Sequence, residues 1–138
     1  MKKFIITVFT VVAITGMAVA QTPTAQVSNT NEMAAPAAEC KWEKTTFNFG
    51  AIPQGKPVSV VYNFTNTGKA PLILTNVHPS CGCTTEDYSK ESIAPGKKGF
   101  VKLTYNANAM GTFTKTTTVL SNAGDFTLQF NGEVVAAK

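Results

Sequence analysis

The sequence predicts an all-β fold: a single immunoglobulin-like antiparallel β-sandwich of about seven strands, preceded by a signal peptide and a flexible linker. Three observations predict the sandwich. Beyond Trp42, apolar and polar residues alternate at period two through run after run, the spacing of strands with one buried face. Gly, Pro and Asn cluster between those runs, where the chain must reverse. No stretch of this part of the chain carries a helical period.

The chain has 138 residues, 43% of them apolar and 14% charged. That suffices for one folded domain and is too apolar for a disordered chain. Three Cys are too few for a disulfide-dense miniprotein.

Lys2 and Lys3 open the chain, residues 4–19 are apolar apart from Thr7, Thr10, Thr15 and Gly16, and Ala18-Val19-Ala20 follows. A basic start, an apolar run and a small-x-small end read as a secretory signal peptide over residues 1–20, cut after Ala20. The run is shorter than the ~20 residues that a spanning helix needs, so no transmembrane segment is expected after cleavage. The mature protein is expected to be exported, either periplasmic or secreted. Residues 21–40 are mostly Ala, Thr, Pro, Asn, Gln and Ser without an aromatic residue, a linker composition. The sandwich domain is expected over residues 41–138.

Within it, Phe47-Asn48-Phe49 alternates, and Val58, Val60, Tyr62 and Phe64 line one face of an extended run. Leu72-Ile73-Leu74 opens a strand reaching Val77. Val101, Leu103 and Tyr105 alternate with Lys102 and Thr104, residues 113–120 are rich in Thr, and Phe126, Leu128 and Phe130 alternate with Thr127, Gln129 and Asn131. The turns are Pro53-Gln54-Gly55, Asn66-Thr67-Gly68-Lys69-Ala70-Pro71, Ala94-Pro95-Gly96, Ala109-Met110-Gly111 and Asn122-Ala123-Gly124-Asp125. Glu86-Asp87 and Glu91 lie in a polar stretch read as a solvated loop. Trp42 precedes both Cys81 and Cys83, so the Cys…Trp…Cys order of antibody domains is missing.

The net charge is +4, carried by Lys alone, and falls to +2 once Lys2 and Lys3 are removed. Without Arg, the usual reader of base edges, nucleic acid is not expected as a partner. Beyond the single His, His78, no other exists to serve as a general base, and no Ser-His-Asp spacing can be argued. No phosphate-cradling Gly loop occurs. An enzyme is therefore not expected, and neither is a cofactor.

One short segment offers chemistry: His78-Pro79-Ser80-Cys81-Gly82-Cys83-Thr84. Pro79 lacks an N–H and is expected to end strand pairing. Gly82 lets the chain bend between the thiols. Four readings of the cysteines stay open. One is a structural disulfide, either Cys40 to Cys81 or Cys83, or Cys81 to Cys83 in a small ring. The second is a copper or zinc ion held by Cys81, Cys83 and His78, soft ligands that suit Cu(I). Zinc would want a fourth ligand from Cys40, Glu86 or Asp87. The third is thiol–disulfide exchange. In the fourth, the cysteines are idle or merely pack.

The residues also resemble a family. In order they are Phe47-Asn48-Phe49-Gly50, Gly55, Tyr62-Asn63-Phe64-Thr65-Asn66-Thr67-Gly68, Pro71-Leu72, Ser80-Cys81-Gly82-Cys83-Thr84, Ile93-Ala94-Pro95-Gly96, Gly111-Thr112-Phe113, Ser121-Asn122 and Gly132. From Phe47 to Val134 this resembles the domain-of-unknown-function family numbered 1573, common in exported proteins of Gram-negative bacteria. The resemblance implies an immunoglobulin-like sandwich, related in architecture to major-sperm-protein and pilus-chaperone-like modules. It implies no reaction. The function expected is a non-enzymatic exported module that binds protein or belongs to the envelope. The alternative is a periplasmic metal-binding or thiol-redox protein using the Cys-Gly-Cys loop.

Overall fold

Alternation at period two places every second side chain on the same face of a strand, and two such sheets bury their apolar faces against each other. A computed structural model describes residues 35–138, and among them it shows eight strands and no helix. The strands are β1 (Cys40–Trp42), β2 (Thr46–Pro53), β3 (Val58–Asn66), β4 (Leu74–Pro79), β5 (Thr84–Tyr88), β6 (Lys98–Tyr105), β7 (Gly111–Ser121) and β8 (Gly124–Val135). One sheet has the order β1-β3-β6-β5, the other β2-β8-β7-β4. Pairing is antiparallel except between β2 and β8, which run parallel. No helix among the described residues is long and apolar enough to cross a membrane. The expected signal peptide and residues 21–34 of the expected linker lie outside the described residues.

The fold class is the predicted one, with eight strands where about seven were expected. The added strands are β1 and β5. β1 and β2 lie in different sheets, because the chain crosses between them after Trp42. β5 carries Glu86 and Asp87, which the sequence placed in a loop; it pairs with β6 from Thr84↔Tyr105 to Tyr88↔Val101. An edge strand has a partner on one side only, so it needs little apolar surface and its alternation is faint.

The core is where the sequence placed it. Val60, Tyr62 and Phe64 of β3, Val101, Leu103 and Tyr105 of β6, Val119 of β7, and Leu128 and Phe130 of β8 are all buried. The Tyr62 hydroxyl donates to the Gln129 carbonyl at 2.7 Å, tying one sheet to the other. Burial pushes that phenol up to about 12.

The turn at residues 66–71 is a polar plug rather than a loose reversal. The fully buried Asn66 amide donates to the carbonyls of Ala70 at 2.8 Å and Ile93 at 2.9 Å. Its carbonyl oxygen accepts from Gly68 N–H at 3.0 Å and Glu39 N–H at 3.4 Å. All four hydrogen-bonding positions of the amide are filled. A side chain at Gly68 would strike the backbone of Ala37 and Glu39. The end of the expected linker is therefore docked: the Ala37 carbonyl accepts from Lys69 and Ala70, and the Glu39 carbonyl from Thr67.

Candidate functional site

The last residues of β4 and the first of β5 lie on the same side of the sandwich, at the outer edges of opposite sheets. The Cys81-Gly82-Cys83 segment is the crossover between them. Pro79 does not end the pairing that leads into it. Its Cα opposes Thr117, and beyond it Ser80 N–H donates to the Thr116 carbonyl at 2.8 Å while Thr116 N–H donates to Ser80 Oγ at 3.2 Å. The reason is the ladder's parity. Ser80 and His78 turn their backbone groups toward β7, so the backbone nitrogen of Pro79 points away from β7, where a missing N–H breaks no ladder bond.

Cys81 and Cys83 are bonded to each other through their sulfurs, with Cα atoms 5.3 Å apart. Cys81 Sγ lies 3.8 Å from Thr84 Oγ1. The crossover is anchored from both sides: Thr84 N–H donates to the Cys81 carbonyl at 3.3 Å, and Asn106 N–H to the Cys83 carbonyl at 3.1 Å. Next to Asn106, the buried Ala107 adopts a φ of 52°, a left-handed conformation that costs a residue with a Cβ about 1 kcal/mol. Its carbonyl accepts from Gly55 N–H at 2.9 Å, so three loops converge at this end.

Cys40 takes no part in this cluster. It opposes Asn66 at one end of β3, while Thr84, next to Cys83, is level with Val58 at the other end. β1 and β5 are also the opposite edges of one sheet. Three inter-strand steps of about 14 Å and a strand length of about 26 Å separate them, far beyond disulfide reach. The expected bridge from Cys40 to Cys81 or Cys83 is therefore not formed. Cys40 is a free, half-buried thiol, pushed up by burial to about 11.

His78 is exposed on β4, between the inward-facing Val77 and Pro79. Among the described residues no three His, Cys, Asp or Glu side chains converge on one point. In this structure the sulfurs of Cys81 and Cys83 are spent on each other.

What sequence reasoning missed is the state of the sheet edges beside the crossover. Ser89 N–H donates to the Phe100 carbonyl and Asn106 N–H to the Cys83 carbonyl. By alternation, Thr85 and Asp87 also bond β6, so the peptide groups of Glu86 and Tyr88 point away from the sheet. β5 has no Pro and no register shift. β4 differs: of its outward positions, Val77 N–H donates to Asn76 Oδ1 at 2.8 Å, Pro79 has no N–H, and the register shifts between Leu74 and Asn76. β2 is interrupted too, by a register shift between Asn48 and Ala51, by Asn48 Oδ1 accepting from Gly50 N–H at 2.7 Å, and by Pro53. β1 is three residues long. Among the described residues β5 is the edge without such a block.

Beyond its last residue lies an open groove of about 540 Å³, lined by Tyr88, Lys90, Glu91, Lys97, Lys98 and Phe100 among others. The Lys90 ammonium stands 5.9 Å from the centre of the Tyr88 ring. Lys98 is engaged by Glu43 at 2.8 Å, and that partner holds the Glu43 carboxyl below its ordinary value. The sequence marked this region only as polar. Its signal was the cluster Lys90, Lys97 and Lys98 around Tyr88 and Phe100.

Comparison with known proteins bears on the fold. A protein of unknown function from Porphyromonas gingivalis W83 superposes with a TM-score of 0.65 at 16% identity, over 73% of this chain and 49% of that one. The chain thus spans about half the length of that protein. The ASH/PapD-like domain 7 of human CEP192 superposes at 0.61 with 11% identity, over 89% of this chain and 99% of that domain. The VesB protease of Vibrio cholerae matches at 0.54 with 17% identity, over 70% of this chain and 32% of the protease. At such identities the likeness is one of fold alone. Among curated proteins nothing matches. A family model spans residues 40–134, from β1 to the end of β8, and on that match the chain belongs to DUF1573, a family described as proteins of unknown function.

Proposed function

We propose that the chain is an exported, non-enzymatic module that binds another protein by accepting one of its strands along β5. The observation that carries this reading is the outward direction of the Glu86 and Tyr88 peptide groups, on an edge without Pro, bulge or side-chain cap. Such an edge is a template for an added strand. Glu86 and Asp87 stand in succession on it. Two copies pairing β5 to β5 would bring these carboxylates together, which destabilises the pair. The edge therefore disfavours its own kind and favours a foreign strand. The basic, apolar start at residues 1–20 supports export.

The test is selection of random short peptides displayed on phage against the immobilised protein. Glu86→Pro removes a donor that faces away from β6, so the native ladder keeps its bonds. Wild type recovers peptides, and Glu86→Pro, folded by its thermal transition, recovers none. Tyr88→Pro serves the same purpose if Glu86→Pro fails to fold. Equal recovery by a folded proline variant contradicts the reading.

A further inference from the structure

Charge changes sign along the open edge. Glu86 and Asp87 lie on β5 itself. Past Tyr88 come Lys90, Lys97 and Lys98, against the single carboxylate of Glu91, around the groove of about 540 Å³. Of the groove's lysines, Lys98 is paired with Glu43, which leaves Lys90 and Lys97 without an ion pair among the described residues. The groove also has an aromatic wall. Phe100 is 37% exposed, and its N–H is taken by Ser89 Oγ at 3.0 Å, which holds the β5–β6 corner around it. Lysines beside exposed ring faces attract carboxylates while the rings and lysine stems take their methylenes. A strand laid along β5 would leave the edge directly over this groove.

We infer that the groove receives an acidic segment of the strand added to β5, so that the partner is an extended peptide with a basic residue opposite Glu86 and Asp87 and an Asp/Glu cluster a few residues further on. This inference rests on the strand-addition reading and adds the partner's chemistry and direction. Charge order selects one orientation of the incoming strand, since the reversed strand sets acid against Glu86 and Asp87. An anionic lipid surface would be drawn to the same lysines, but it has no backbone to pair with Glu86 and Tyr88, so the peptide is favoured.

The experiment is the same random-peptide selection, run on wild type, on Lys90→Glu/Lys97→Glu and on Glu86→Pro, with binding of phosphatidylglycerol vesicles measured alongside. Lys98 is left intact because it holds Glu43. Wild type is expected to enrich peptides with Asp/Glu clusters preceded or followed on one consistent side by Lys or Arg. The double lysine variant should bind these peptides at least tenfold more weakly and enrich a pool without the acidic bias. A wild-type pool without acidic bias that still disappears in Glu86→Pro overturns the groove's role and leaves strand addition standing. An acidic pool that survives in folded Glu86→Pro overturns strand addition instead. No recovered peptide, together with vesicle binding that depends on Lys90 and Lys97, overturns both in favour of a lipid surface.

Discussion

β4 and β5 leave the same crossover and lie on the same side of the sandwich, yet their outer edges are finished differently. Along β3–β4 the polar groups are used up internally. Asn76 takes Val77 N–H, and Asn122 donates to the Pro71 carbonyl and accepts from Ile73 N–H, both just before β4. Pro79 adds no donor at all. Along β5, the Thr85 and Asp87 peptide groups bond β6 by alternation and those of Glu86 and Tyr88 face away from it. Closing an exposed edge is the ordinary solution. An edge left open beside a closed one is what the proposed strand addition requires.

The largest expected effect lies at neither edge but at the buried turn between β3 and β4. Asn66→Ala removes four hydrogen bonds from a fully buried site and strands their backbone partners, so chemical denaturation should show a loss of about 3 kcal/mol or more. A loss below about 1 kcal/mol would mean that water replaces the plug.

The crossover between the two edges should matter less. Reducing the Cys81–Cys83 bond releases a ring of two-residue separation, which the chain-entropy view values at about 1.5 kcal/mol. Melting with and without reductant should show a small drop and leave the domain folded. Cys40, on the far corner with its thiol pushed up to about 11, is expected to react slowly with iodoacetamide at neutral pH and faster only as the pH approaches that value. Rapid labelling of Cys40 in the folded state would contradict its half-buried placement in β1.

Opening the closed edge is a gentler perturbation. Asn76→Ala with Pro79→Ala restores two outward donors to β4. Stability is expected to change by less than about 1 kcal/mol, while light scattering should report self-association that wild type lacks. A strictly monomeric double variant would mean that Asn76 and Pro79 are not what closes β4. The smallest effect belongs to Glu43. Its folded-state value is depressed by Lys98, so its contribution is present above the ordinary carboxylate value and is lost as the pH falls through the lowered one. Glu43→Gln should therefore lower the melting temperature slightly at neutral pH and not at all in strong acid.

Much of this fold was legible from residue order. Wherever a strand is flanked on both sides, as in β3, β6, β7 and β8, burial enforces alternation, and Tyr62, Phe64, Leu103 and Phe130 stood out as core. The loop that carries Cys81 and Cys83 was legible from Pro79 and Gly82, while the state of its cysteines stayed open among four readings. Their relation to Cys40 was not legible, since it depends on the register of β1, β3, β6 and β5 across a whole sheet. β5 was hidden because an edge strand in contact with water reads like a loop. Asn66 signalled a turn, but its four partners, spread from Glu39 to Ile93, are set by tertiary structure. The open edge was illegible for the same reason: whether a peptide group faces a neighbour or solvent is a property of ladder parity, which side chains do not announce.

The most direct test of the account is residue-resolved amide hydrogen exchange across β5, on the free protein and on its complex with a selected peptide. Thr85 and Asp87, bonded to β6, should be protected in both. Glu86 and Tyr88 should exchange near the free-peptide rate alone and become protected when the peptide binds. Protection of Glu86 and Tyr88 in the free protein, or continued fast exchange in the complex, would contradict β5 as the docking edge.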